Sequence, residues 1–555
     1  MKRHFIILTT LFLLSHLLSG CSKGTDDTTP GNQTNITSSG FSNAAFSTTH
    51  FNGSQSCSIC HNGLTDGTGT NVSLETDWAS TMMANSARDP LFRAKVASET
   101  IRNPNIKDAI EAKCSRCHTP MASVEAELSG QPVKLLPPGF LSPDHTLFDA
   151  AMDGVSCTLC HQIDNDADFG EVISFSGNYS ISTDKRIFGP FPTPETMPMI
   201  NSSGYTPVLS SHISSSDACS SCHNLSTDVV DATTNELTSA KFPEQSTYDE
   251  WENSSFGQIG TSTEKSCQDC HMPETDRVVV STMGMGLSYR DNFSKHYFVG
   301  ANTFMLDILN SNKDLLGIKA NNFDEVIQRT KDLLQSSASL EVTNTANTSG
   351  ELSFNVKVKN LSGHKLPSGY PARRAYLHVT VTDATNTTVF ESGLMNDNGS
   401  IVGVDADTDA TKYEAHHDII TTGDQVQVYE SIMQNTNSEV TYTLLNGASY
   451  IKDNRLLPAG FDKNTVSSDI SPGTASKADA NFIAASDDVI YRFTPGGTGP
   501  YSVNVELNYQ STAYQYSQDL FKDIGKHAFI DTYKQVYDTA KIQKETIATL
   551  DFIIN

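Results

Sequence analysis

The sequence predicts a multidomain protein in which a loop-rich, mainly α-helical domain precedes an antiparallel Ig-like β-sandwich and a C-terminal helix. Two observations predict this division. The last cysteine is Cys270, and from about Ser336 the spacing of apolar residues changes from irregular or helical to strictly alternating. Side chains on one face of a helix recur every 3.6 residues and those on one face of a strand every two. The change in spacing therefore indicates a domain boundary.

Five Cys-x-x-Cys-His motifs use ten of the 11 cysteines. Two thiols one helical turn apart can bond covalently to the two vinyl groups of one haem, and the following histidine is then placed to ligate the iron. The motifs therefore predict five covalent c-type haems. The attachment cysteines are Cys57, Cys60, Cys114, Cys117, Cys157, Cys160, Cys219, Cys222, Cys267 and Cys270, and the proximal ligands are His61, His118, His161, His223 and His271.

A single motif of this kind also fits half of a zinc site or a redox-active dithiol. Zinc sites pair two such motifs at a short, regular separation, whereas these five lie about 40 to 60 residues apart. The five motifs also leave no cysteine in the domain for disulfide bonds. Spacing and cysteine use together favour haem over both alternatives.

The N-terminus predicts export. A basic start precedes the apolar run Phe5 to Leu18, which is too short to span a bilayer comfortably. The run ends in Leu18-Ser19-Gly20-Cys21, which resembles a bacterial lipoprotein signal with residues 1–20 removed and Cys21 acylated. An ordinary secreted protein is the alternative. Several acyl chains on one residue anchor a protein stably, and Ser22 in the lipoprotein family favours the outer membrane. The expected location is the cell envelope, facing the periplasm or the exterior.

The charge balance limits the partners. The chain has 38 Lys and Arg against 64 Asp and Glu, a formal net charge of −26. This charge disfavours binding to nucleic acid or to anionic lipid head groups, and it would steer a basic redox partner protein towards the chain. The oligomeric state is not set by the sequence.

Composition also gives the domain bounds. Residues 21–47 contain few large apolar side chains and predict a flexible tether. Residues 48–335 form the expected pentahaem domain, with helices in Leu74 to Thr100 and in Asn322 to Leu334 between loops rich in Gly and Pro. A domain with so little regular structure would not ordinarily close a core, and five porphyrins would supply the missing apolar bulk.

Residues 336–515 form the expected β-sandwich. The predicted strands are Leu352 to Val358, Leu377 to Val381, Val426 to Tyr429, Val440 to Leu444, Val489 to Phe493 and Tyr501 to Tyr509. Residues 516–555 are predicted to be helical, with the apolar stripe running from Asp519 to about Ile547. Asp405, Asp407 and Asp409 form an acidic cluster that lacks the glycine and terminal glutamate of an EF-hand loop. A solvated acidic turn is therefore favoured over a calcium site.

The sixth iron ligand decides what each haem does. Iron with two histidine ligands is closed and transfers electrons, a methionine raises the potential, and an open position permits small-molecule chemistry. Four histidines near the motifs are candidate distal ligands: His50, His145, His212 and His296. Weaker candidates are Met82, Met83 and His364, and His416 and His417 rank lower, while His378 is expected at the surface. Which histidine serves which haem stays open.

Three motif contexts resemble a known group. Gly154 to His161, Ala218 to His223 and Ser266 to Pro273 are similar to the haem motifs of the cytochrome c-554 and hydroxylamine oxidoreductase-like multihaem superfamily. Gly363 to Pro371, Gln425 to Glu430 and Lys452 to Pro458 resemble segments downstream of haem domains in exported cytochromes. The resemblance implies closely stacked haem pairs, largely with two histidine ligands, that pass electrons along a wire.

The chain also departs from that group. Hydroxylamine oxidoreductase-like enzymes carry more haems, and pentahaem nitrite reductases hold their catalytic iron through a Cys-x-x-Cys-Lys motif, which this sequence lacks. The leading hypothesis is therefore an electron carrier rather than an enzyme. The alternative is a reductase or oxidase of a small nitrogen or sulfur compound that works at one five-coordinate haem.

Overall fold

The computed structural model describes residues 45–284 and 286–555. The expected signal peptide, Cys21 and nearly all of the tether lie outside the described residues. The helices are α1 (Ser54–His61), α2 (Leu74–Asp77), α3 (Pro90–Arg102), α4 (Lys107–His118), α5 (Pro120–Leu128), α6 (Phe148–Met152), α7 (Cys157–Cys160), α8 (Thr196–Ser203), α9 (Asp217–His223), α10 (Thr247–Glu252), α11 (Cys267–His271), α12 (Thr303–Ser311), α13 (Lys313–Leu316), α14 (Phe323–Ser336), α15 (Asp405–Thr408), α16 (Thr474–Ala478), α17 (Tyr514–Phe521) and α18 (Ala528–Tyr537).

The strands fall into small pairs and two larger sheets. They are β1 (Arg186–Gly189), β2 (Thr206–Leu209), β3 (Asn224–Val230), β4 (Leu237–Ser246), β5 (Glu274–Thr275), β6 (Phe293–Ser294), β7 (Ala338–Thr348), β8 (Glu351–Asn360), β9 (Arg374–Thr382), β10 (Thr388–Ser392), β11 (Ile419–Ile420), β12 (Val428–Gln434), β13 (Ser449–Asp453), β14 (Ser486–Phe493), β15 (Tyr501–Gln510) and β16 (Glu545–Ile554). Strands β1 to β6 form three two-stranded pairs between the motif helices.

The region of residues 45–336, here called the motif-bearing region, is built from short helices. The predicted helical stretch Leu74 to Thr100 is divided into α2 and α3. Residues 78–88 between them form turns and bends. Helix α3 begins after Asp89, because its carboxylate accepts hydrogen bonds from the backbone N–H groups of Leu91 and Phe92, and Pro90 occupies the first helical position. Helix α14 lies where the sequence predicts it.

The region of residues 338–513 together with β16, here called the two-sheet region, contains two sheets. One has the order β13-β12-β9-β15-β16, with β10 also paired to β9, and the other has the order β11-β14-β8-β7. The pairs are antiparallel except β11 with β14. Phe354 and Tyr491 from one sheet and Val379 and Val505 from the other belong to one buried core. The Ig-like layout in particular stays a prediction.

The predicted strand Val440 to Leu444 is wrong. Val440 makes an isolated bridge to Gln434, and a 3-10 turn begins at Leu444. The backbone N–H groups of Leu444 and Leu445 donate to the carboxylate of Glu99 on α3 instead of to a neighbouring strand. The segment therefore serves as a contact between the two regions.

The prediction of a helical C-terminus is wrong for residues 545–554. Helices α17 and α18 form, but Glu545–Ile554 is strand β16, which pairs along β15. Alternating side chains at Leu550, Phe552 and Ile554 give this segment the period of a strand. The sheet thus gains an edge strand that the helical interpretation missed.

Helices α17 and α18 pack against α3 of the motif-bearing region. Arg102 donates to the carboxylates of Asp519 at 2.5 Å and Asp523 at 2.8 Å, and Ser98 donates to Asp523 at 2.6 Å. Ile530, Tyr533 and Val536 belong to the same buried core as the residues of α3. The C-terminal helices therefore complete the motif-bearing region.

The acidic cluster is not a solvated turn throughout. Both carboxylate oxygens of Asp407 accept from the guanidinium of Arg374 at 2.8 Å, and this ion pair is buried. Asp409 caps its own turn through Thr411. Because Asp407 is committed to Arg374, the cluster does not present three carboxylates to one cation. Within the described residues, no helix is both long and apolar enough to cross a bilayer.

Candidate haem-binding cavity

One cavity of about 1870 Å³ runs through the motif-bearing region to its contact with the two-sheet region. Its walls include residues of all five motifs, among them all ten motif cysteines and the five motif histidines. Apolar side chains such as Leu64, Val72, Ile110 and Phe188 line the space between them. The structure therefore brings all five motifs, which are far apart in the sequence, to one continuous interior.

Each motif lies on a helix. Helices α1, α4, α9 and α11 end at the motif histidines, and α7 spans Cys157–Cys160. Residues three apart on a helix are neighbours on one face, so each pair of thiols points in one direction. The motif cysteines form no disulfide bond with each other in the structure, so every thiol is available for a thioether.

Gly154 explains the approach to α7. Its φ is +64°, and a Cβ at this position would lie 2.6 Å from the carbonyl oxygen of Met83 and 2.7 Å from that of Ala84. Val155 then donates from its backbone N–H to the Met83 carbonyl, and the indole N–H of Trp78 donates to the Val155 carbonyl. A glycine is required here because only glycine permits this conformation and this contact. These contacts hold the third motif against the Met82–Met83 turn.

The motifs touch one another through their thiols. Cys57 lies beside Cys157, Cys117 beside Cys222 and Cys219 beside Cys267, in each pair close enough for the second thiol to shift the pKa of the first. The contact with Cys157, together with burial, raises the pKa of the Cys57 thiol well above its usual value. The first motif thus adjoins the third, and the fourth adjoins both the second and the fifth.

Three proximal histidines are oriented by backbone carbonyls. Nδ1 of His61 lies 2.6 Å from the carbonyl oxygen of Val280, Nδ1 of His161 lies 2.7 Å from that of Phe188, and Nδ1 of His271 lies 2.5 Å from that of Val299. A proton on Nδ1 that is donated to a carbonyl leaves the lone pair on Nε2, which is the usual arrangement for a metal-ligating histidine. These rings are therefore set to bind iron through Nε2.

Burial keeps the motif histidines neutral. It lowers the pKa of His118 and of His223 to about 4, and it lowers the pKa of His61, His161 and His271 as well. Only the neutral imidazole has a lone pair for a metal. The ring of His118 also stacks on Phe92 with centroids 3.7 Å apart, and its Nδ1 has no hydrogen-bond partner.

Two further histidines face motif histidines across the cavity. His296 lies opposite His161, and His364 lies opposite His271, with ring centroids 6.3 Å apart in both pairs. A metal–imidazole nitrogen bond is about 2 Å and the ring centroid lies about 1 Å beyond the nitrogen, so two imidazoles on one iron have centroids about 6 Å apart. The spacing of both pairs therefore matches two axial ligands of a single iron.

The other three predicted distal histidines make hydrogen bonds within the protein. His212 uses both ring nitrogens within the protein, since Ser210 donates to Nδ1 at 2.6 Å and Nε2 donates to the Ile163 carbonyl at 2.9 Å. Nδ1 of His50 contacts the Glu125 carboxylate at 3.0 Å, and Nδ1 of His145 accepts from the backbone of Leu147. None of these three lines the cavity, whereas His296 and His364 both do.

The remaining candidates divide in the same way. Met82 and Met83 both line the cavity. His378 contacts the carboxylates of Glu391 and Glu506 on the sheet. His416 and His417 contact Asp479 and Glu414 within the two-sheet region. Thus the methionines reach the cavity, while these three histidines do not.

Buried polar groups near the second motif were not predicted from the sequence. Glu244 on β4 lines the cavity and is 6% exposed. Among the described residues, none makes a hydrogen bond or ion pair with its carboxylate. Burial raises the pKa of Glu244 to about 8, with a smaller contribution from Glu99. The hydroxyl of Tyr516 also has no hydrogen-bond partner. A buried carboxylate leaves no regular pattern in a sequence, so only the fold could reveal this group.

The donor set fits covalently bound haem. The thiol pairs are one helical turn apart, the imidazoles are neutral, two imidazole pairs have the spacing of one iron, and the walls between them are apolar. The cysteines would hold the porphyrin edges, His61, His118, His161, His223 and His271 would hold the irons, and His296 and His364 would close two of them.

Neither a protein-family model nor a curated protein matches the chain. Among solved structures, the fold is similar to a penta-haem cytochrome c552 from Thermochromatium tepidum, with a TM-score of 0.48 and 15% sequence identity. The similarity covers 92% of this chain and 100% of that protein.

Proposed function

We propose that this chain is an exported pentahaem c-type cytochrome that transfers electrons along a haem array. The observation that carries the proposal is the convergence of five Cys-x-x-Cys-His motifs on one cavity. Bound haem would supply a one-electron redox centre at each motif. The chain's residues attach the porphyrins, ligate the irons and exclude water between them. Membership of the cytochrome c-554 and hydroxylamine oxidoreductase-like superfamily is part of the proposal and rests on the motif contexts.

We infer the order of the haems in the array from which motif cysteines lie beside each other. The first motif adjoins the third, and the second and fifth both adjoin the fourth. Cys160 of the third motif lies close enough for its charge to act on Cys219 and Cys222 of the fourth. The proposed path therefore runs from the first motif through the third to the fourth and on to the fifth, with the second as a branch.

The location and partners extend this proposal. The protein would be held at the outer membrane through acylated Cys21, with its redox domain in the periplasm or at the cell exterior. The net charge of −26 favours basic redox partner proteins. Growth with a labelled fatty acid tests the anchor, since Cys21→Ala should lose the label and appear in the soluble periplasmic fraction.

Ligand variants of the haem-loaded, full-length protein test the site. His296→Ala should convert one low-spin haem to high spin in the EPR spectrum, because His296 faces His161 at the spacing of a shared iron. His145→Ala is the matched control, since His145 does not line the cavity. Equal spectra for both variants and the parent protein would contradict the proposed ligation.

A second candidate function is small-molecule redox chemistry at the second motif. In the part of the chain that the structure describes, the histidines outside the motifs that line the cavity are His296 and His364, so the first, second and fourth motifs have no facing histidine. Of these three motifs, Glu244 distinguishes the second. The buried carboxylate of Glu244 lies close enough to the second motif to raise the pKa of the Cys114 thiol. A buried acid at this position could donate a proton to a substrate as it is reduced. Nitrogen or sulfur oxyanions are the substrate class of this candidate.

Magnetic circular dichroism of the oxidised protein separates the two functions. A pure carrier should show five low-spin haems. A high-spin haem whose spectrum changes on addition of nitrite or hydroxylamine would favour the second candidate, and Glu244→Gln should then lower the turnover without changing the haem content.

A further inference from the structure

The loop that carries His364 begins at the end of β8 and crosses to the motif-bearing region. Nδ1 of His364 lies 2.9 Å from the carbonyl oxygen of Lys365. A proton on Nδ1 donated to this carbonyl leaves Nε2 available towards His271, whose ring is nearly parallel at 14°. The orientation of the His364 ring therefore depends on where the backbone of Lys365 is held.

Both the backbone N–H and the side-chain ammonium of Lys365 are held by carboxylates. Its backbone N–H donates to Oε2 of Glu250 on α10 at 3.2 Å, and its Nζ donates to Oδ2 of Asp453 on β13 at 2.7 Å. The residue is 0% exposed. His364 thus faces the cavity while the next side chain is directed into the interior between the two regions.

Two more groups close this arrangement into a ring of four charges. Arg455 donates from Nε and Nη2 to the two carboxylate oxygens of Asp453 at 2.9 and 2.8 Å, and its Nη1 lies 2.9 Å from Oε1 of Glu250. Ser368, at the far end of the same loop, donates to Oε2 of Glu250 at 2.7 Å. The ring joins α10, the His364 loop and the end of β13.

Stability alone does not account for such a ring. Taking four charges out of water is costly, and replacing a buried ion pair by apolar residues of similar volume is often neutral or stabilising. Directional hydrogen bonds, by contrast, fix positions that apolar contacts leave adjustable. The positions fixed here are the backbone of Lys365 and the hydroxyl of Ser368, which flank the loop after His364.

We propose that the ring formed by Glu250, Lys365, Asp453 and Arg455, here called the charge ring, is a positioning device that holds His364 as the distal ligand of the fifth-motif haem. The two-sheet region therefore supplies a haem ligand and the means of orienting it. The inference rests on the proposed function, because it requires haem at Cys267 and Cys270.

The test is EPR of the oxidised, haem-loaded, full-length protein and of four variants. His364→Ala gives the reference signal for loss of this ligand, namely one low-spin haem converted to high spin. Lys365→Met should give the same conversion with the haem content unchanged. Glu250→Gln is a milder variant that keeps the shape of the side chain, and it should give a partial conversion even if Lys365→Met does not fold.

Lys463→Met is the matched control. Like Lys365, Lys463 donates hydrogen bonds from Nζ within the two-sheet region, but its acceptors include the backbone carbonyls of Asp479 and Phe482, and it lies outside the charge ring. Its variant should keep every low-spin signal of the parent protein. That result together with conversion in Lys365→Met or Glu250→Gln supports the proposal.

Two results would overturn it. Unchanged low-spin signals in Glu250→Gln and in folded Lys365→Met would show that the ring does not position the ligand, even if the unfolding midpoint falls. An unchanged signal in His364→Ala would show that His364 is not the ligand. Failure of the proposed function is distinguishable, because the parent protein would then contain no haem at all.

Discussion

The motif-bearing region and the two-sheet region enclose different kinds of interior. In the two-sheet region, Phe354, Val379, Tyr491 and Val505 are all 0% exposed and pack against one another. In the motif-bearing region, a cavity of about 1870 Å³ lies between short helices. Protein interiors are normally packed as densely as organic crystals. One region is therefore complete from its own side chains, whereas the other has an interior that the proposed porphyrins would fill.

The largest expected effect comes from withholding haem. The full-length chain produced without haem attachment should be cleaved rapidly by trypsin within the motif-bearing region, because its cavity walls would have no partner atoms. The strands of the two-sheet region should resist cleavage for longer. Mass spectrometry of the fragments is the measurement, and the haem-loaded protein is the control. Equal rates of cleavage in both regions would contradict the comparison.

A smaller effect is expected from a core substitution in the two-sheet region. Leu377 on β9 is 0% exposed, so Leu377→Ala should lower the free energy of unfolding by about 2–5 kcal/mol. Haem content should stay the same, because Leu377 does not line the cavity. Urea unfolding followed by far-UV circular dichroism measures the free energy of unfolding, and haem absorbance measures the haem content. A loss of haem in this variant would mean that the two interiors are not independent.

The smallest expected effect concerns two buried carboxylates. Burial raises the pKa of Glu244 from 4.5 to about 8, because the charges of Lys95 and Lys113 offset the effect of burial only in part. The folded state therefore retains a proton that the unfolded state releases, and stability should fall as pH rises between about 4.5 and 8. The expected contribution is on the order of 1 kcal/mol per pH unit. Glu244→Gln should remove it, as measured by urea unfolding at pH 5.5 and 7.

The pKa of Asp453 in the charge ring is shifted in the opposite direction from that of Glu244. Burial opposes its charge, but Arg455 and Lys365 outweigh burial and hold the pKa of Asp453 well below its usual range. Its stabilisation is present above the unfolded-state pKa and is lost only as pH falls through the lower folded-state value. Asp453→Asn should therefore leave the slope between pH 5.5 and 7 unchanged. A flattened slope in this variant, or an unaltered slope in Glu244→Gln, would contradict the two assignments.

Local features of both regions could be predicted from the sequence. The haem motifs need only three fixed positions in five residues, and alternating stretches such as Tyr501 to Tyr509 carry the period of a strand in themselves. Strand β16 was missed because α17 and α18 precede it with a strong helical stripe. The segment Val440 to Leu444 was misassigned because its backbone bonds go to Glu99, a residue distant in the sequence.

The distal ligands could be predicted only in part, because nearness in the sequence is a poor guide to nearness across a haem. His212 lies seven residues before Cys219, yet both its ring nitrogens are used within the protein. His364 lies far from every motif, yet it faces His271 because the charge ring brings a loop of the two-sheet region to the cavity. The carbonyls that orient the proximal rings are backbone atoms, which no residue type reveals.

The proposed function requires that all five motifs attach haem around one interior. Intact-mass spectrometry of the full-length protein, purified from a host that matures c-type cytochromes, tests it most directly. We expect a single species carrying five covalent haems, and four after the double substitution Cys157→Ala and Cys160→Ala. A mature species with fewer than five haems, or one whose motifs hold zinc instead, would contradict the claim.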